Sequence, residues 1–87
     1  MSNGPSKPIS VNGHEIRVFL LNIVSYFNVG DALKAAGLDA SKAIYPPEAY
    51  CDINLLWDLI GQHPSVWKAC NETGPFAAPG ATGLIYR

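Results

Sequence analysis

Two histidines, His14 and His63, two cysteines, Cys51 and Cys70, four aspartates and three glutamates are the side chains of this sequence that could move a proton, attack a carbon or hold a metal ion. General acid and base catalysis needs such groups brought together in a cleft, and no pair of them recurs at helical spacing. Asp52 and Asp58 stand six residues apart and would not share a helix face; they read as a helix cap and a solvated side chain. Cys51, His63 and Cys70 are the ligand types zinc prefers, yet no Cys-x-x-Cys or His-x-x-x-His pair anchors a site. His63 precedes Pro64 and reads as a helix-end residue, its cation near the negative C-terminus, while His14 reads as a solvent-facing strand residue. Nucleophilic chemistry needs a serine or cysteine within hydrogen-bond reach of a base, which is a matter of the fold and not of spacing. Neither Gly30 nor Gly80-Ala81-Thr82-Gly83 forms a phosphate cradle. Asn71-Glu72-Thr73 matches a glycosylation acceptor, but no export signal accompanies it. The expectation is therefore no catalytic residue, no cofactor and no metal, and a protein that is not an enzyme.

Binding chemistry is better represented. Lys34 and Lys42 flank the glycine at position 37, and Arg17 falls on the solvated side of a strand, so these three cations are the candidates for meeting phosphates. Six basic against seven acidic side chains give a formal net charge of −1, which lacks the field of a nonspecific nucleic-acid binder and confines any contact with double-stranded DNA to a local surface. The alternative contact residues are Tyr45, Tyr50, Trp57 and Trp67, because tyrosine and tryptophan are enriched among interface hot spots. A chain this short needs most of its rings for the core, so one or two of the four are expected to be exposed.

The elements that must position these groups belong to one small domain of 87 residues, 48% hydrophobic and 15% charged, apolar enough to offset the entropy of ordering its backbone. No apolar run approaches the roughly 18 residues of a membrane span. The N-terminus carries no targeting pattern, which makes the cytoplasm the default location. Two cysteines fall short of a disulfide framework; free, buried thiols are expected, although a single bridge remains open to them. Residues 1 to 8 read as a mobile tail, with the domain running from 9 to 87. Ile9-Ser10-Val11 and His14 to Leu20 read as two strands around an Asn12-Gly13 turn, with Glu15 and Arg17 outward and Ile16 and Val18 inward. Ile23 to Val29 fits either a third strand or the lead-in to a helix.

Asn28 is placed to cap a helix through Asp31 and Ala36 that stops at Gly37. Asp39 or Ser41 can cap a short one through Lys42-Ala43-Ile44, ended by Pro46-Pro47, after which the chain should bend. Asp52 caps a helix from Ile53 to Gln62 with Leu55, Leu56, Leu59 and Ile60 on one stripe, and Pro64 suits the first turn of another, reaching Cys70 and carrying Val66 and Trp67. Residues 74 to 83 read as an extended loop, and Leu84-Ile85-Tyr86 as a returning edge strand. The expected fold is α+β: an N-terminal β-hairpin and small antiparallel sheet packed against three or four short helices. A homodimer fits so small a core, since two copies can bury an apolar face between them.

Taken in order, Ile9-Ser10-Val11-Asn12-Gly13-His14-Glu15-Ile16-Arg17-Val18, Tyr26-Phe27-Asn28-Val29-Gly30-Asp31-Ala32-Leu33-Lys34-Ala35-Ala36-Gly37-Leu38 and Ser41-Lys42-Ala43-Ile44 resemble the Bro-N domain, the N-terminal domain of prophage antirepressors and baculovirus repeated-ORF proteins. The likeness covers roughly residues 9–44 and implies an α+β fold and a role in DNA binding or phage regulation. Arg17, Phe27, Asp31, Gly37 and Lys42 match the family pattern; Phe27, Asp31 and Gly37 suit architecture, and Arg17 and Lys42 suit phosphate contact. The family's Gly-Leu-Tyr segment and following basic, Trp-bearing helix are echoed only in part, by Gly83-Leu84-Ile85-Tyr86-Arg87. The resemblance thus implies a small phage or mobile-element regulatory module that binds DNA, with Arg17 and Lys42 on phosphates and Lys34 joining them from the residue reading above. The alternative is a module that binds or inhibits a host or phage protein through exposed aromatic residues.

Overall fold

Two turns led by asparagine shape the first half of the computed structural model, which describes residues 3–61, 63–74 and 83–86. Strand β1, Gly4–Val11, turns at Asn12 and Gly13 into β2, His14–Leu21, with both turn residues at positive φ, 53° and 78°, as a type I′ hairpin requires. Asn22 and Ile23 repeat the device at φ of 51° and 58°, and the chain returns as β3, Val24–Asn28. The apolar run after Asn22 is thus a strand, with Ile23 as its turn. Strands β4, Ala49–Cys51, and β5, Leu84–Tyr86, complete an antiparallel sheet of five strands in the order β1-β2-β3-β4-β5. Leu84-Ile85-Tyr86 lies at the sheet edge, as its sequence suggests.

Three features differ from the sequence reading. The sheet begins at Gly4, inside the stretch read as a tail: Gly4, Pro5 and Ser6 pair with Leu20, Phe19 and Val18, and an irregularity between Ser6 and Ile9 takes up Lys7 and Pro8. An edge strand tolerates prolines because one row of its N–H groups has no strand to bond. Where a bend was expected, Ala49–Cys51 forms β4, with Phe27 and Asn28 as partners on one side and Leu84 to Tyr86 on the other. The short helix beyond Asp39 shrinks to a single 3₁₀ turn, Ala40–Lys42; Ile44 stands outside it, 79% exposed. Gln62 and most of the proposed 74–83 loop lie outside the described residues.

The helices begin where caps predict. Asn28 Oδ1 accepts the Asp31 N–H at 2.9 Å to open α1, Val29–Ala35. Its end is a Schellman motif, with Leu38 N–H donating to Leu33 O and Gly37 N–H to Lys34 O while Gly37 sits at φ 75°. Asp52 Oδ1 accepts the Leu55 N–H at 3.1 Å to open α2, Ile53–Ile60, and Pro64 is the first residue of α3, Pro64–Asn71. The core gathers Ile16, Val18, Phe27 and Cys51 from the sheet, Val29, Ala32 and Leu33 from α1, Leu56 and Ile60 from α2, and Val66 and Cys70 from α3. Glu15 and Arg17 alternate outward from Ile16 and Val18, but on the face of Glu15 and Arg17 the next residue, Phe19, is buried against Tyr50, so that face of β2 is solvated only as far as Arg17. No helix among the described residues is long and apolar enough to cross a membrane.

Candidate functional site

Arg17, the first of the expected phosphate contacts, is engaged within the protein. Its Nε meets Asp31 Oδ2 at 2.7 Å and its second guanidinium nitrogen donates to Asp31 Oδ1 and Asn28 Oδ1, both at 3.2 Å. The Arg17 backbone N–H also donates to Asp31 Oδ2, at 3.0 Å. This fork ties β2 to the start of α1 and raises the affinity of Arg17 for its proton, first through the hydrogen bond to Asp31. Burial opposes ionisation of Asp31, but hydrogen bonds from Arg17, its charge and that of Lys34 together hold the carboxyl below the usual carboxylate range. Asp31 therefore binds Arg17 and partly offsets the charge of both Arg17 and Lys34. Lys42 is exposed on the 3₁₀ turn beside a shallow depression of 280 Å³ that it lines with Leu33, Leu38, Asp39, Ala43 and Leu59.

The groups considered for chemistry are dispersed into structural roles. Asp52 is a buried cap, its N–H donating to Gly83 O at 3.1 Å, and Asp58 is exposed. Cys51 and Cys70 are free and buried. Burial pushes the Cys70 thiol up to about 12 and raises Cys51 further, with the charges of Asp52 and Cys70 adding to burial there. Protonated thiols are poor nucleophiles and poor metal ligands. His63 occupies the residue before α3, where its N–H donates to Ile60 O at 2.8 Å, and His14 is exposed. No cluster of three His, Cys, Asp or Glu side chains able to hold a metal occurs among the described residues.

The four aromatic candidates separate into three settings. Tyr45 packs against the core. Tyr50, half-buried, meets Phe19 edge-on with ring centroids 6.2 Å apart. Trp57 of α2 and Trp67 of α3 come together with centroids 4.9 Å apart and planes at 77°. Trp67 is half-buried against the core, whereas Trp57 is 51% exposed.

The end of α2 at Ile60 and the start of α3 at Pro64 are what allow this pairing, since α3 packs beside α2. Gly61 lets the backbone close on the end of α2: a Cβ there would lie 2.6 Å from the Trp57 carbonyl oxygen, while the Trp57 ring, about 3.4 Å away, would be in ordinary contact. The two indoles, with Ile53, Asn54 and Asn71, line a groove of 360 Å³, with no ionisable side chain among the described residues that line it. Trp67 Nε1 is buried without a hydrogen-bond partner among the described residues. Sequence reading named both tryptophans but missed their pairing. The signal was the Gly-x-His-Pro interruption between two helices that each carry one tryptophan.

Comparison with protein-family models, with curated proteins and with solved structures finds no match for this chain. The likeness to Bro-N rests on the residues quoted above.

Proposed function

We propose that this chain is a regulatory binding module, working by association and not by catalysis, that meets a protein partner through the Trp57 and Trp67 surface. The regulatory part of the reading comes from the Bro-N likeness of residues 9–44. The observation that carries the docking surface is Trp57, half exposed and yet held edge-on against Trp67, with centroids 4.9 Å apart. A ring already held in place gives up little conformational entropy on binding, which is what distinguishes an anchor from an incidental exposed residue. A tryptophan offers roughly 150–250 Å² of burial in all, so covering the exposed half at about 25 cal/mol per Å² contributes on the order of 2–3 kcal/mol.

The test uses the parent protein and Trp57→Ala as paired baits. A protein retained by the parent, then purified and rebound, should bind the variant at least about tenfold more weakly, given hot-spot losses of about 2 kcal/mol or more. Equal affinity for a variant with an unchanged circular dichroism spectrum overturns the assignment.

A second reading, contact with duplex DNA, is favoured by one observation: Lys34 and Lys42 are both exposed on either side of Gly37. It predicts binding that weakens steeply between about 50 and 200 mM salt and falls in Lys34→Ala and Lys42→Ala. Against it stand Asp31 and Asp39, the carboxylates next to these cations. A labelled duplex that shows no anisotropy change at the lower salt removes this reading and leaves the protein-binding one.

A further inference from the structure

We draw no further inference here: the strongest candidate, the uncharged groove between α2 and α3 lined by Ile53, Asn54, Trp57, Trp67 and Asn71, belongs to the surface already described, and nothing in the structure shows what covers it.

Discussion

Ile23 holds a backbone conformation that its side chain resists. At φ 58° a β-branched residue crowds its own carbonyl, at a cost of roughly 1–2 kcal/mol, and its side chain, 57% exposed, recovers little by packing. The first hairpin solves the same geometry with Gly13. Ile23→Gly should therefore stabilise the protein by about 1 kcal/mol, read as a higher denaturant midpoint at unchanged slope; a lower midpoint would mean that Ile23 packs better than its exposure indicates.

Asp31 makes the opposite case, a polar residue whose loss costs stability. Its carboxyl titrates below the ordinary 3.8 in the fold, so its contribution is complete above about pH 5 and is lost as pH falls through the depressed folded value. Asp31→Asn should cost about 1 kcal/mol at neutral pH, because the partnering guanidinium is largely exposed. It should also flatten the acid limb of the stability profile, and an acid limb identical to the parent's would show that other carboxylates govern it. The sequence made the capping of α1 by Asn28 and the placement of Asp31 legible, because both act within one turn. The pairing of Asp31 with Arg17 was not legible, because 14 residues separate them and only the docking of α1 beside β2 joins them.

At the scale of elements, α1 is the piece most fully written in local signals: a capping asparagine, an acidic first turn and a glycine just past the end. Its packing is the nonlocal part. Leu33, 4% exposed, is the largest side chain α1 gives to the core, and its main-chain carbonyl closes the Schellman motif. Leu33→Ala should cost about 2–5 kcal/mol, a large share of the stability of a small domain, measured by thermal or denaturant unfolding; a cost under about 1 kcal/mol would mean that the site collapses around the smaller residue.

Strand β4 lies at the other extreme. Ala49-Tyr50-Cys51 has too few residues to show a period of its own. It is a strand because β3 and β5 offer it backbone partners on both sides, and Phe27 and Leu84 stand opposite Cys51. The start of β1 at Gly4 has a similar origin, since prolines and a glycine argue against a strand until the edge of β2 supplies the pairing. Local chemistry thus sets where helices begin and end here, while the outer strands are decided by the neighbours they meet.

For the molecule as a whole, the two thiols report on how many cooperative units the described elements form. Cys51 belongs to β4 of the sheet and Cys70 to the last turn of α3, and both are fully buried in one core with Leu56 and Val66. The thiol that reacts with a disulfide reagent is the ionised one, and burial pushes both groups far above neutral pH. Native protein at pH 7 should therefore leave both cysteines unmodified over minutes, and each should become reactive only on unfolding. If sheet and helices share a single core, the labelling of Cys51 and of Cys70 follows the same urea midpoint as tryptophan fluorescence, which reads α2 and α3. Measured on Cys51→Ala and Cys70→Ala variants so that each thiol is seen alone, each compared with its own fluorescence, coincident midpoints support one cooperative domain. Labelling of Cys51 well above the fluorescence transition that Cys70 labelling follows would instead show that α3 detaches first. The Trp57 and Trp67 pair would then lose half of its support before the sheet unfolds, and the proposed docking surface would be a conditional feature of the fold, present only while α3 is seated.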